Sequence, residues 1–267
     1  MKTVKLFLSL SIVFMVLVGL GTKQAFAAKS FVTDGLISYW TFDKKDVKGD
    51  VAKDIIGKND GTIKGDVNLV AGKIGDAISC DGSTNLVEVP INDDLSREGT
   101  DTMTVEAWLN PEKPVYGVIC GRDYWILHWT TNGALPAQMT YYVGVGGWKS
   151  VQSQSSVKDG WHHWAGVYDG KNLMIYLDGK KDGSIALSGK ISPTNDGHAK
   201  FLSFGKDYHT TVNNDRYNKV IIDEVKIYKK ALSDAEIAQN FSADSNSLAV
   251  AIAGKLSTTW GDVKELR

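Results

Sequence analysis

The stretch KVIIDEVKIYKKALSDAEIAQNF, residues 219–241, is the most informative part of the sequence because it joins a strand pattern to a helix start. Side chains alternate between two faces over Val220–Tyr228, as they do in a β-strand. The more apolar face, which we expect to be the core face, carries Ile221, Asp223, Val225 and Ile227. Asp223 is unusual on that face, because a carboxylate that faces a core is costly unless it is paired, hydrogen-bonded or bound to a metal.

The residues after this strand predict a short helix. Ser233 and Glu236 have the spacing of a capping box, and Leu232 and Ile237 can form a hydrophobic staple. Before Ser233 no helical period is sustained, and short apolar or alternating runs are separated by Gly, Asn and Asp. We therefore expect an all-β sandwich whose last core strand is followed by one short C-terminal helix.

The first 27 residues have the organisation of a secretory signal peptide. Lys2 and Lys5 precede an apolar run over Leu6–Leu20, and Ala25 and Ala27 lie where a signal peptidase recognises small residues. We expect cleavage after Ala27 and hence a secreted protein, extracellular or periplasmic. An uncleaved membrane anchor is the alternative, since the apolar run approaches the ~20 residues that span a bilayer.

Removal of residues 1–27 changes the formal net charge from −1 to −4, because these residues contain three lysines and no acid. A mildly acidic surface argues against nucleic acid and against an anionic membrane as partners. Residues 28–241 are long enough for one large β domain. Residues 242–267 begin as a polar linker, and their apolar run is too short to span a membrane, so we expect no transmembrane segment in the mature chain.

Seven short motifs follow one another between residues 35 and 241. They are GLISYWTFD (35–43), NDGT (59–62), GDAISCDG (75–82), TVEAW (104–108), GWHHWAGVYDG (160–170), LMIYLDG (173–179) and the closing segment 219–241. In this order they resemble LamG-like jelly-roll domains, the concanavalin A-like lectin/glucanase sandwich. The resemblance implies a concanavalin A-like jelly-roll β-sandwich with an extracellular binding role. Independently of it, Asp169-Gly170 and Asp178-Gly179 predict tight hairpin turns, because Gly readily adopts a positive φ.

The resemblance also implies a structural calcium ion. Members of this family commonly hold Ca²⁺ where the first and last strands meet, and the matching residues here are Asp43 and Asp223. Asn59 and Asp60 are further candidate ligands, and Asp81 is another. Ca²⁺ takes six to eight oxygen ligands from carboxylates, amides and carbonyls, which suits this set. The alternative is that Asp223 only accepts a hydrogen bond from a neighbouring backbone N–H.

Candidate catalytic groups are isolated in the sequence. Jelly-roll glycoside hydrolases carry an E-x-D-x-E strand whose carboxylates act as a pair, and no such run occurs here. Glu106 lies on the strand face of Trp108 and would have to act alone in a groove. His162 and His163 are adjacent on a strand, so they point to opposite faces and cannot share a metal. We therefore expect a protein without a catalytic centre.

Aromatic residues crowd the middle of the chain. They are Tyr124, Trp125, Trp129, Tyr141, Tyr142 and Trp148, with polar neighbours Arg122, Asp123, His128, Asn132 and Gln138. Sugar rings stack on aromatic faces while polar groups hold their hydroxyls, so we take Tyr124, Trp125, Trp129 and Trp148 as candidate glycan-binding residues. The alternative is core packing, since aromatic residues dominate such cores. Tyr124 and Ile126 must face opposite Trp125 and Leu127, so one core cannot bury them all.

Cys80 and Cys120 are the two cysteines of the chain. An oxidising compartment would permit a disulfide. Cys80 replaces an inward-pointing Phe of the family pattern, which favours a buried thiol that behaves as a small hydrophobic residue. We expect two reduced, buried cysteines.

Together these observations predict a secreted, non-catalytic binding module with a structural calcium ion. The expected partner is a glycan or a glycosylated surface. A protein-interaction or adhesion module of the extracellular surface is the first alternative. A jelly-roll glycoside hydrolase or lyase is the second, and the missing carboxylate pair weighs against it.

Overall fold

The structure is a computed structural model that describes residues 30–121, 123–131, 133–194, 201–207 and 216–243. The predicted signal peptide, residues 1–27, lies outside the described residues. Of the predicted linker and tail, residues 242–267, only Ser242 and Ala243 are described. Neither helix of the described part of the chain has the length and apolar character that crossing a bilayer requires.

The described residues form two antiparallel sheets, with strands numbered in chain order. Sheet I contains, in spatial order, β15 (Lys180–Ala186), β14 (Asn172–Leu177), β13 (His162–Tyr168), β8 (Met103–Lys113), β17 (Lys219–Tyr228), β6 (Asp76–Asp81) and β5 (Asn68–Ala71), with β1 (Leu36–Trp40) paired to β17. Sheet II contains, in spatial order, β12 (Trp148–Gln152), β11 (Met139–Gly144), β10 (Trp125–Trp129), β9 (Gly117–Gly121), β16 (Phe201–Phe204), β7 (Leu86–Pro90), β4 (Gly61–Lys64), β3 (Val51–Ala52) and β2 (Val47–Lys48). The predicted all-β sandwich is confirmed.

Two helices accompany the sheets, α1 (Asp93–Ser96) and α2 (Asp234–Phe241). Helix α2 begins with the predicted capping box, in which Ser233 and Glu236 satisfy each other's backbone N–H groups. Leu232 and Ile237, the predicted staple pair, are both buried in one apolar cluster. The short C-terminal helix is therefore confirmed, whereas the single turn of α1 was not predicted.

The main core lies between the two sheets and is rich in aromatic side chains. Trp40 packs edge-on against Phe204 with ring centroids 5.1 Å apart, and Trp129 packs against Trp164 at 6.2 Å. The sharp chain reversals that this packing requires use the predicted turns. In the β14–β15 hairpin, Asp178 has φ 48° and Gly179 has φ 76°, as a two-residue turn of the primed type requires.

A second apolar layer covers the outer face of sheet I. Residues from the start of the described chain and from α2 contribute to it together with strand residues. Its buried members include Phe31, Val32, Tyr39, Tyr228 and Ile237. The outer face of sheet I is therefore closed to solvent over much of its area.

A bulge in β17 corrects the predicted face of Asp223. Glu224 has φ 56°, and the register with β8 shifts between Asp223 and Lys226. Before the bulge Val220 and Ile222 enter the core between the sheets, and after it Val225 and Ile227 do so. Asp223 pairs with Trp108 and lies on the outer face of sheet I, because the bulge reverses the alternation that the sequence alone suggests.

Candidate functional site

Asp223 is a fully buried carboxylate at the bulge of β17. Its Oδ2 accepts a hydrogen bond from Ile74 N at 2.9 Å. Its Oδ1 is also buried and has no hydrogen-bond partner within the described part of the chain. Burial, and then the charge of Glu224, raise the pKa of Asp223 to about 8. An unpartnered carboxylate oxygen in such a place is a candidate ligand for a cation.

Asp43 lies beside the same turn as Asp223. The turn runs from Gly72 to Gly75, and Gly72 N donates to Gly75 O at 2.9 Å. A Cβ atom at Gly72 would collide with Asp223 Oδ2, and a Cβ atom at Gly75 would collide with Asp43 Oδ1. The structure therefore brings both predicted ligands to one turn, and glycine is needed at both ends of it.

Asp76 is a residue of this region that the sequence did not single out. Its backbone N donates to Asp43 Oδ1 at 2.9 Å, and its own Oδ2 accepts from Lys44 N at 3.0 Å. Asp43 Oδ2 lies 2.9 Å from Lys45 Nζ. The GDAISCDG motif contains Asp76, so the motif was a signal for it, but the contact depends on pairing between distant segments.

The other predicted calcium ligands serve separate turns. Asp60 Oδ1 accepts from Asp54 N at 2.9 Å, and Asn59 bridges Ser38 and Asn92 through its amide. These are corrections to the predicted ligand set, because the polar atoms of both side chains are already engaged away from Asp223.

Asp81 is also excluded from the Asp223 region. Its carboxylate accepts from the backbone N of Ser83 at 2.8 Å and of Thr84 at 2.9 Å. Burial opposes ionisation of Asp81, but these hydrogen bonds outweigh it and lower the pKa. Among the described residues, no three His, Cys, Asp or Glu side chains form a group that could hold a metal.

Trp125 and Trp129 are core residues. Both are fully buried between the sheets, and Trp125 Nε1 donates to Leu95 O at 2.8 Å. Tyr141 is buried in the same core. The prediction that Trp125 and Trp129 contact a glycan is therefore wrong, because stacking on a sugar requires an exposed ring face.

Four aromatic rings form a row along the outer face of sheet II, and we call Trp148, Tyr142, His128 and Tyr116 the aromatic row. Ring centroids are 6.2 Å apart for Trp148 and Tyr142 and 5.3 Å apart for Tyr142 and His128. They are 5.7 Å apart for His128 and Tyr116. All four side chains are partly exposed. Trp148, one of the predicted glycan-binding residues, is thus partly exposed and lies in a row with three other rings.

Arg216 ends the aromatic row. Its guanidinium carbon lies 4.1 Å from the centroid of Tyr116, within the range of a cation–π interaction. Its Nη1 donates to Asp207 Oδ2 at 2.9 Å. His128 was predicted as a polar neighbour of the aromatic cluster, whereas sequence reasoning missed Tyr116 and Arg216, because Arg216 lies 100 residues from Tyr116 in the chain.

Tyr124 lies at the rim of the sandwich rather than in the aromatic row. It is partly exposed, and its hydroxyl donates to Glu98 Oε2 at 2.9 Å. Burial and this hydrogen bond raise the pKa of Tyr124 to about 12. Two polar neighbours predicted for the cluster, Arg122 and Asn132, lie outside the described residues.

The family of the chain follows from sequence comparison. Residues 81–238 match the model of the concanavalin A-like lectin/glucanases superfamily. The chain belongs to this superfamily. Among curated proteins, none matches the sequence. The predicted resemblance is thereby confirmed.

Solved structures with the same jelly-roll fold include domain 4 of AbnA, a GH43 extracellular arabinanase from Geobacillus stearothermophilus, in complex with arabinotriose. It is 19% identical, with a TM-score of 0.58, over 77% of this chain and 97% of that domain. The binding domain of Paraclostridial Mosquitocidal Protein 1 is 16% identical, with a TM-score of 0.60, over 78% and 52% of the two chains.

A third similar structure is the binding domain of botulinum neurotoxin DC in complex with SialylT. It is 16% identical, with a TM-score of 0.60, over 79% of this chain and 51% of that domain. The chain therefore spans about half the length of the two toxin domains. At these identities the three structures show a shared fold.

Glu106 of this superfamily member is enclosed on the outer face of sheet I and does not line a groove. It is fully buried, and both of its oxygens accept from Asn240 Nδ2, at 2.9 and 3.0 Å. His163 Nε2 lies 3.6 Å from Glu106 Oε2, and Lys226 Nζ lies 3.9 Å from Oε1. The possibility that Glu106 faces a substrate is therefore wrong.

The two adjacent histidines point to opposite faces, as predicted. His162 Nδ1 lies 2.9 Å from Asp178 Oδ2, whereas the ring of His163 packs against Trp108 with centroids 5.3 Å apart. They cannot bind one metal ion together.

The two cysteines of this superfamily member are buried and not bridged. Cys80 lies in the core between the sheets, and burial raises its pKa to about 12. Cys120 lies on β9, where its Sγ is 3.7 Å from Asp207 Oδ1. The prediction of two buried, reduced thiols is confirmed.

Proposed function

We propose that the chain is a secreted, non-catalytic glycan-binding module whose binding surface is the aromatic row on the outer face of sheet II. The observation that carries this proposal is the set of four partly exposed rings at spacings of 5.3–6.2 Å on one face. Aromatic rings present a large apolar face with little conformational entropy to lose, which suits the C–H face of a sugar.

Polar side chains beside the aromatic row suit sugar hydroxyl groups. Thr140 pairs with His128 across β10 and β11, so both lie on the same face, and Thr140 is buried there. Ser150 pairs with Tyr142 and Gln152 with Thr140, which places them on that face as well. Binding sites commonly combine an apolar floor with a few polar groups that fix orientation.

The fold comparisons support a glycan as the partner. Domain 4 of AbnA was solved with arabinotriose, and the neurotoxin DC domain was solved in complex with SialylT. A secreted location accords with the predicted signal peptide and with the extracellular arabinanase to which the first of these domains belongs.

We also propose that Ca²⁺ binds between Asp43 and Asp223. The unpartnered Oδ1 of Asp223 fits such an ion, and the two carboxylates border one turn. Backbone carbonyls and water would complete the shell, because Ca²⁺ takes six to eight oxygens. The ion would neutralise a buried carboxylate and connect the end of β1 to β17.

The experiment that tests the glycan proposal is a glycan array with the full-length secreted protein and its Trp148→Ala and Tyr142→Ala variants. We expect the protein to bind glycans and each variant to bind at least about fivefold more weakly, the cost of losing a contact worth more than ~1 kcal/mol. Ile185→Ala is the matched control, because Ile185 is an exposed apolar residue of sheet I.

Circular dichroism would show that each variant is folded. Glycan binding that survives both ring substitutions would overturn the proposed surface. Binding to a protein partner without any glycan would favour an adhesion module, and release of reducing sugars from a polysaccharide would favour a hydrolase.

A further inference from the structure

We infer that the aromatic row takes an extended, uncharged glycan chain laid across the strands, rather than a single terminal acidic sugar. This inference rests on the proposed glycan-binding function. It adds the direction of the chain, the need for several sugar units and the absence of charge on the ligand.

The direction follows from the strands that carry the rings. Trp148 begins β12, Tyr142 lies in β11, His128 lies in β10 and Tyr116 directly precedes β9. These strands are consecutive neighbours in sheet II. The centroid spacings of 5.3–6.2 Å are close to the distance between adjacent strands, about 4.8 Å. A ligand that follows the aromatic row therefore crosses the strands.

The need for several sugar units follows from the ring planes. Tyr142 is nearly perpendicular to Trp148, at 86°, and the planes of His128 and Tyr142 meet at 69°. Tyr116 and His128 are tilted by 55°. Neighbouring rings cannot both lie flat against one sugar ring, so each ring that offers its face needs a separate sugar unit. A single sugar can then use only one of them, and affinity should rise with chain length.

The uncharged character follows from the groups beside the rings. Gln152 Nε2 donates to Gln138 Oε1 at 2.8 Å, and the nearby exposed side chain of Ser150 is a neutral hydroxyl. These groups can donate to and accept from sugar hydroxyls. They carry no positive charge that could pair with the carboxylate of an acidic sugar.

The positive charge at the end of the aromatic row is already compensated. Arg216 is in an ion pair with Asp207 at 2.9 Å, and the side chain of Asp207 is 2% exposed. Lys206 is buried, with its Nζ 4.0 Å from the centroid of the Tyr217 ring. An acidic sugar would have to compete with Asp207 for Arg216, whereas a neutral sugar can pack beside the pair.

The first step of the test is an array of neutral polysaccharides (arabinan, xylan, galactan and β-glucan) and acidic glycans (polygalacturonate, alginate and sialyllactose), probed with the full-length protein. We expect binding to neutral members. Binding to acidic members alone would overturn this inference and leave the proposed function intact. If no member binds, the proposed function itself fails.

The second step is calorimetry with oligosaccharides, from the disaccharide to the hexasaccharide, cut from the neutral polysaccharide that binds best. We expect the dissociation constant to fall about tenfold or more along this series, which corresponds to ~1.4 kcal/mol of added contact. A disaccharide that binds as tightly as the hexasaccharide, with binding still lost in Trp148→Ala, would overturn the inference alone.

The third step compares variants at the far end of the aromatic row. Tyr116→Ala should weaken binding of the hexasaccharide and leave the affinity for the disaccharide unchanged. The shorter ligand can occupy the Trp148 end of the aromatic row. Ile185→Ala is the matched control, because Ile185 is an exposed apolar residue of sheet I outside the aromatic row and the variant should bind both ligands like the wild-type protein. Equal effects of Tyr116→Ala on both ligands would contradict an extended chain.

Discussion

Asp223 combines full burial with a carboxylate oxygen that has no partner in the described structure. Such an arrangement is costly without a cation. We expect millimolar CaCl₂ to raise the Tm by about 5–11 °C over EDTA, if the ion is present at ~100 times its Kd. Differential scanning calorimetry measures this shift.

Asp223→Asn should abolish the calcium-dependent shift, and Asp43→Asn should reduce it. Asp81→Asn is the control, because Asp81 serves the turn at Ser83 and Thr84 and Asn can cap that turn as well. An equal Tm in the two buffers would show that Asp223 has no calcium ion as a partner.

Glu106 is a buried charge that should support stability rather than catalysis. We expect Glu106→Gln to cost about 3 kcal/mol in urea unfolding, because it removes the buried negative charge that faces Lys226 and His163 and one of the two oxygens that accept from Asn240. Glu112→Gln, at a carboxylate that is 45% exposed and paired with Lys219, should cost under ~1 kcal/mol. Similar costs for the two variants would contradict the buried network.

The same network predicts a pH dependence of stability. Burial alone would raise the pKa of Glu106, but the hydrogen bond and charge of His163, the charge of Lys226 and the bond from Asn240 lower it. A lowered folded-state pKa stabilises the protein above the unfolded value of about 4.3. That stabilisation is lost as the pH falls through the folded-state pKa. Urea unfolding at a series of pH values should show that the free energy of unfolding falls more steeply on acidification for the wild-type protein than for Glu106→Gln.

Asn240 is the buried polar residue that connects helix α2 to the sandwich. Its Oδ1 accepts from Val32 N at 2.7 Å, and its Nδ2 donates to Tyr228 Oη at 2.9 Å as well as to Glu106. Asn240→Ala should therefore cost about 2–3 kcal/mol and leave several buried polar groups unpaired.

Hydrogen exchange would locate the effect of Asn240→Ala. We expect faster exchange in residues 30–32 and in α2, with little change in sheet II. Gln239→Ala is the neighbouring control, because the Gln239 side chain is exposed and donates a single bond to Ser30 O. Unchanged exchange in α2 would show that apolar packing alone holds the helix.

The two faces of sheet II should respond differently to loss of a tryptophan. Trp129 is fully buried between the sheets, so Trp129→Ala should cost about 3–5 kcal/mol. Trp148→Ala should cost far less and remove glycan binding instead. Urea unfolding combined with calorimetric binding separates these outcomes, and a large loss of stability in Trp148→Ala would place that ring in the core.

The architecture of the sandwich gives its two outer surfaces different roles. Sheet I is covered by α2 and by Phe31 and Val32, whereas sheet II carries the aromatic row on its outer face. This division explains why Glu106 and Trp148, which both lie on outer faces of sheets, differ so much in exposure.

Local patterns were sufficient to predict the class of fold and several of its details. Alternation of side chains, Gly-containing turns such as Asp178-Gly179 and the Ser233–Glu236 capping box depend on residues that are near one another in the chain. Such interactions are the same in any context, so the strands, the hairpin and helix α2 were predictable.

Long-range pairing settled what local patterns could not. The bulge at Glu224 arises where β17 must pair with β8, and it moved Asp223 to the outer face. Side-chain alternation along β11 places Tyr141 and Tyr142 on opposite faces of the sheet. It does not show which outer face of the sandwich is covered by a second apolar layer. The contact of Arg216 with Tyr116, and the turn that Asp43 and Asp223 both border, join segments far apart in the chain, because tertiary packing, and not propensity, brings those side chains together.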